Sequence, residues 1–221
     1  MKQQVKNRIL RIFILSIVAI LIGAGVAYYQ VKFQKAHVRG QNSGASGGSP
    51  IAGLEVGGPF TLTNHMGEKV TQDDYAGQYK LIYFGFTYCP AICPTELQKV
   101  SRVTNALEKN NPELAGQFQP LFITVDPERD TVEVMKDYVS LFHHDLIGLT
   151  GTQPQIDFVT KSYRIFARKV DDPDSDDPQD YTMDHSSYLY LMGPEGNLLG
   201  LYRMDDDADY IYNDILKRAS S

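Results

Sequence analysis

The chain has 221 residues, 43% hydrophobic and 22% charged, enough for one folded domain with appendages. Residues 1–40 hold seven of the 21 Lys and Arg and no acid, so the remainder sets 14 basic residues against all 27 acidic ones, a net −13 that argues against a nucleic-acid surface. Two cysteines, Cys89 and Cys93, are too few for a disulfide scaffold and read as a functional pair.

Residues 12–29 form an apolar run without an internal charge, of the length a helix needs to cross a bilayer. Lys2, Lys6, Arg8 and Arg11 precede it, and Tyr28 and Tyr29 suit the far interface. The positive-inside rule makes residues 1–11 a cytoplasmic basic tail and puts everything beyond the run outside. A cleaved signal peptide would have a shorter apolar stretch followed by a small-x-small site, so the run is read as an uncleaved anchor. An Arg-rich amphipathic transit pattern is not visible, which favours a bacterial inner membrane with the soluble domain in the periplasm. Residues 30–50, ending in GQNSGASGGSP, read as a flexible linker in which His37 is solvated. The folded domain is expected over residues 51–221.

Within that domain, residues 60–63 and 69–71 flank Asn64-His65-Met66-Gly67 as a short hairpin, with His65 solvated at its turn. Residues 80–86 read as a buried strand. Leu97, Val100, Val103, Thr104 and Leu107 fall on one stripe of a helix over 95–107, with Pro90 and Pro94 placed where a missing N–H matters least. Residues 120–125, PLFITV, make another buried strand. Asp130 with Glu133 reads as an N-cap and its reciprocal partner for a helix running to about Phe142. His143 and His144 end that helix, and adjacent residues on a helix do not share a face, which makes them a poor chelating pair. A short strand at 147–149, a helix at 153–164 with Ile156, Val159 and Tyr163 inward, and a strand at 166–170 follow. Residues 171–184, DDPDSDDPQDYTMD, are acidic and proline-punctuated and read as an exposed loop without a calcium-loop spacing. His185 stands at its end. A hairpin of residues 187–192 and 198–202 and a helix over 207–218 close the chain. Strand, helix, strand, helix is the rhythm of a parallel sheet, whose ligands bind beyond the carboxyl ends of the strands, where Cys89 and Asp126 fall. Asp126 is there either as loop structure or as support behind the site.

Cys89 and Cys93 sit at a strand–helix junction, and a helix N-terminus favours thiolate. Two soft thiolates select Cu(I), zinc or an iron–sulfur centre. Zinc and iron–sulfur sites ordinarily need four ligands, more than this pair provides, whereas two thiolates with one imidazole make a three-coordinate site that copper accepts. The same pair could instead act as a redox couple in which Cys89 attacks and Cys93 resolves.

Three separated motifs extend this reading: YFGFTYCPAICP at 83–94, VDPERDT at 125–131 and DHS at 184–186, the last followed after a strand by GPEG. In this order they resemble the Sco/SenC family, over about residues 53–217. The resemblance implies an α/β thioredoxin-like fold, a mixed central sheet flanked by helices, held to the membrane by one N-terminal transmembrane helix. It implies copper, as Cu(I), Cu(II) or both, bound by Cys89, Cys93 and His185. It further implies delivery of copper to the CuA-bearing subunit of cytochrome c oxidase, or maintenance of that site's thiols, with a copper donor and a thiol reductant as further partners. The acidic residues 171–184 set this chain's docking surface apart from relatives with other loops.

Overall fold

The computed structural model describes residues 56–175, 177 and 180–220. The expected basic tail, anchor and linker lie outside the described residues. Among the described residues, no helix is long and apolar enough to cross a membrane.

The described chain runs β1 (Thr61–Asn64), β2 (Lys69–Thr71), β3 (Tyr79–Gly85), α1 (Ile92–Asn110), β4 (Phe118–Thr124), α2 (Val132–Val139), β5 (Ile147–Thr150), α3 (Gln153–Ser162), β6 (Ala167–Asp171), β7 (Tyr181–His185), β8 (Leu189–Met192), β9 (Leu198–Tyr202) and α4 (Ala208–Ala219). Seven strands form one mixed sheet in the order β2-β1-β5-β4-β3-β8-β9. The three central strands β3, β4 and β5 are parallel, while β8, β9, β1 and β2 add antiparallel at the two edges. This is the mixed α/β architecture expected from the sequence.

β3 and β4 are apolar almost throughout because both of their faces are covered. Phe84 meets Tyr163, just beyond α3, and Tyr190 of β8, with ring centroids 5.2 and 5.9 Å apart. Its neighbour Tyr83 points to the opposite face, stacks near Phe122 and reaches Cys93 at the start of α1. α1 buries the stripe Leu97, Val100, Val103, Thr104 and Leu107. It also buries the ion pair Glu96–Lys99, 2.9 Å apart, whose ammonium donates as well to the Met204 carbonyl. Both charges are matched, which keeps their desolvation tolerable.

α1 is longer than the stripe alone suggested, starting at Ile92 so that Cys93 and Pro94 occupy its first turn. Proline fits there because the first-turn N–H groups have no intrahelical acceptor.

Four expectations are corrected. Asp130 does not cap α2; Thr131 does, accepting from Val134 N, while the Asp130 carboxylate turns inward to collect donors from Thr87 and Thr124. α2 also stops at Val139, so His143 and His144 lie in the turn leading to β5. His65 is half-buried, its Nδ1 accepting the Gly148 N–H at 3.1 Å, because β1 returns beside β5. Finally, residues 181–184 belong to no loop. They form β7, which pairs with β6 from Ala167↔His185 to Asp171↔Tyr181 as a separate two-stranded hairpin. Cross-strand hydrogen bonding decides this, along with the alternation that buries Tyr181 and exposes Thr182 and Asp184.

Candidate metal centre

Three elements bring the candidate residues together: the loop between β3 and α1, the first turn of α1, and the end of β7. Cys93 is fully buried, Cys89 and His185 half-buried, and both thiols are free. Cys93 Sγ lies 3.7 Å from His185 Nε2, although 92 residues separate them in the chain. Cys89 Sγ accepts the Cys93 N–H at 3.4 Å. One face of the three-residue cluster is therefore open to solvent through Cys89 and His185, while Cys93 forms its floor.

The two sulfurs are electrostatically unlike. Cys89 is lowered to about 5, first by the hydrogen bond from Cys93 and then by the N–H groups of Cys93, Ala91 and Ile92, against the opposing effect of burial. These are the unsatisfied donors of the α1 N-terminus, which stabilise an anion. Cys93 moves the other way because its S–H donates a hydrogen bond to Cys89 and because it is buried. The metal-free pair thus carries one thiolate, outward, and one thiol, inward.

His185 is oriented from behind. Its Nδ1 lies 3.0 Å from the Ser186 carbonyl oxygen, which can only accept, so Nδ1 carries the proton and Nε2 keeps its lone pair toward Cys93. The rings of Tyr83 and Phe86 meet the imidazole edge-on, with centroids 6.4 and 5.7 Å away. Tyr83 also donates its hydroxyl to Cys93 Sγ at 3.6 Å, and burial pushes this phenol strongly upward, keeping it protonated. Gly85 makes the approach of Cys93 feasible. A Cβ at this position would lie 2.8 Å from Cys93 Sγ and 3.1 Å from the Phe122 ring.

Asp126 does not reach the cluster directly. It is buried, pairs with Arg129 Nε at 2.6 Å and accepts the Tyr181 hydroxyl at 2.8 Å. Arg129 donates to the Tyr181 carbonyl and lies over its ring, with Cζ 3.5 Å from the centroid. Its guanidinium also sits 6.0 Å from the Phe86 ring centre. Through Tyr181 and Phe86 this network fixes β7 and the wall against which His185 packs. Asp130 braces the other side, accepting from Thr87 N, Thr87 Oγ1 and Thr124 Oγ1 just before the cysteine loop. Burial lifts its carboxyl above the usual range, against the pull of these donors.

The donor set suits a soft cation. Bonds of about 2.0–2.3 Å to nitrogen and sulfur, splayed at 120°, put the two atoms roughly 3.7 Å apart, which matches the Cys93–His185 spacing. Sequence reasoning named Cys89, Cys93, His185 and Asp126, of which the structure brings the first three together. It missed Tyr83, Phe86, Arg129 and Tyr181 as the frame. For Tyr181 the signal was a two-residue alternation through Tyr181, Met183 and His185, hidden by the acids around it.

Comparison with known proteins finds relatives of this chain. Protein SCO1 homolog 1, mitochondrial, of Arabidopsis thaliana is 40% identical over 198 residues, 88% of this chain but 57% of that protein. The chain thus spans little more than half the length of this curated relative. The structure of Bradyrhizobium japonicum ScoI with copper bound is 39% identical, with a TM-score of 0.66, covering 74% of this chain and 99% of that one. A structure of BsSco, described as having a disulfide switch and as a member of the Sco family of cytochrome c oxidase assembly proteins, is 27% identical with a TM-score of 0.57, covering 76% and 95%. The SCO1/SenC family model matches residues 49–220, and this chain belongs to that family.

Proposed function

We propose that this protein is a membrane-anchored copper chaperone that takes copper on Cys89, Cys93 and His185 and passes it to the CuA-bearing subunit of cytochrome c oxidase. The observation that carries the reading is the convergence of two free sulfurs and an imidazole lone pair, with 3.7 Å between Cys93 Sγ and His185 Nε2. The copper-bound relative and the oxidase-assembly relative support it. Copper is cargo here. Cys89, already a thiolate, makes first contact at the open face. Cys93 then gives up its proton and His185 closes the set from β7. Release runs through exchange of these ligands for cysteines of the recipient, and an oxidised pair could not load, so redox state gates the cycle.

The reading includes the topology drawn from the sequence: residues 1–11 a cytoplasmic tail, 12–29 a single transmembrane anchor, 30–50 a linker and 51–221 the copper-binding domain. That domain would lie in the periplasm of a bacterial inner membrane, with a copper donor and a thiol reductant as partners.

The unequal sulfurs favour a second activity of the same pair. Cys89 thiolate attacks a disulfide of the recipient, forming a mixed disulfide and releasing one recipient thiolate. Cys93 then attacks Cys89, releasing the second recipient thiol. The recipient gains two electrons, and the Cys89–Cys93 pair ends oxidised.

The test is Cu(I) competition on the reduced full-length chain in detergent, wild type beside His185→Ala. One copper per chain is expected, with affinity at least tenfold weaker in the variant while both thiols remain titratable. Equal affinities would overturn the three-ligand site.

A further inference from the structure

A second cluster of ligating groups lies at the other end of α1, at Glu108 near its C-terminus and at His143, His144 and Asp145 in the turn before β5. Each of the four offers one ligand atom, and these atoms all lie within 4.8 Å of one another. Fifteen residues of helix between Cys93 and Glu108, at about 1.5 Å each, put this cluster roughly 20 Å from the cysteine pair.

The spacings match a small coordination sphere. Glu108 Oε2 is 3.2 Å from His143 Nε2, and Glu108 Oε1 is 3.6 Å from His144 Nε2. Asp145 Oδ1 is 3.4 Å from His144 Nε2. A tetrahedral cation with bonds of about 2.0–2.1 Å sets its ligands roughly 3.3–3.4 Å apart. The His143 and His144 rings stack at 4.4 Å and 30°, and both Nε2 atoms face the Glu108 carboxylate. Two carboxylates and two neutral imidazoles would balance a divalent charge.

The His143 side chain is 3% exposed, and its buried Nε2 makes no hydrogen bond of acceptable geometry even with Glu108 nearby. A buried nitrogen left out of line with its neighbour is what an absent ligand would leave. The turn is also anchored to its neighbours. His143 N donates to Ser101 Oγ on α1, Gln119 donates to the Asp145 carbonyl, and Leu146 N closes back on the His143 carbonyl. The Asp145 N–H now points at His143 Nδ1, which places the ring proton on Nε2. A cation on Nε2 displaces that proton to Nδ1, which costs the hydrogen bond from the Asp145 N–H and leaves Asp145 Oδ2, 4.0 Å away, as the nearest acceptor. The cluster borders a surface cavity of ≈ 470 Å³ that also includes Arg102, so a cation enters from the solvent side, where His144 is exposed.

We infer that Glu108, His143, His144 and Asp145 form a second metal site, separate from the cysteine pair, for a tetrahedral divalent cation of the zinc type. It requires no copper delivery by the chain.

Its test uses the tag-free full-length chain carrying Cys89→Ser and Cys93→Ser, which removes both thiolates, with folding checked by circular dichroism. Titration with Zn²⁺ should give one bound equivalent and a zinc X-ray absorption shell of nitrogen and oxygen with imidazole scattering and no sulfur. His144→Ala and Glu108→Gln, both at partly or fully exposed side chains, should each weaken binding at least tenfold. Absence of binding at 100-fold excess Zn²⁺ would overturn the site, as would binding that neither substitution changes. Cu(I) binding that survives the loss of both thiols, with zinc binding intact, would count against the copper site alone.

Discussion

Tyr181 donates its hydroxyl to Asp126 Oδ1 across 2.8 Å, and this bond ties the loop after β4 to the start of β7, four residues before His185. Removing the Asp126 carboxylate takes away the charge paired with the buried Arg129 guanidinium. Asp126→Ala is therefore expected to cost about 3 kcal/mol or more of stability. Tyr181→Phe loses only the hydrogen bond, about 1 kcal/mol. Urea unfolding of both variants checks the order. Both should weaken Cu(I) binding without abolishing it, because neither residue is a donor; abolition by Tyr181→Phe would make the network part of the ligand set.

Gly85 leaves room for Cys93. Gly85→Ala drives a methyl into Cys93 Sγ and the Tyr83 and Phe122 rings, none of which can swing away freely. A loss of about 1–3 kcal/mol is expected from overpacking, with a weaker copper site. A variant as stable as wild type, with unchanged copper affinity, would show that α1 yields without cost.

Alkylation should separate the two thiols. Cys89, with its pKa at about 5, should react with iodoacetamide at a rate that rises through pH 5 and levels off below pH 7. Buried Cys93 should stay unlabelled until the chain unfolds. Peptide mass spectrometry of pH-quenched samples reads both rates. Replacing Cys93 by Ala removes the largest cause of the shift and should move the Cys89 inflection upward. An inflection near the ordinary thiol value of about 8.5 in the wild type would contradict the asymmetry.

His65 gives the stability curve a slope on the acid side. Burial lowers its pKa. As pH falls through about 6.5, the unfolded chain takes up this proton before the native one. The unfolded state then binds more protons, so stability drops as pH falls until the native pKa is passed. Urea midpoints between pH 7.5 and 5.5 should fall more steeply for wild type than for His65→Gln. Parallel slopes would assign the loss to other groups.

Much of the fold could be read from local pattern. Leu97, Val100, Val103, Thr104 and Leu107 mark α1 because a helix of 3.6 residues per turn puts them on one side. The apolar runs of β3 and β4 mark buried parallel strands because both faces are covered. The site's reactive groups were equally legible, since thiols and an imidazole are rare and chemically distinctive. His185 was named through its motif, with no local signal to place it beside Cys93.

The tertiary structure decided what those groups touch. Asp130 reads locally as a cap, but long-range donors from Thr87 and Thr124 outbid a single helix N–H, and Thr131 takes the cap instead. β7 is invisible in an acidic stretch because its stabilisation comes from pairing with β6, not from its own composition. His143 and His144 looked unable to share a ligand while they were placed on a helix. α2 ends at Val139, and the turn after it brings both imidazoles to Glu108 on another helix. The sequence determined which chemistry the chain carries. Hydrogen bonds between residues distant in sequence decided where it is assembled, and neither composition nor periodicity encodes such bonds.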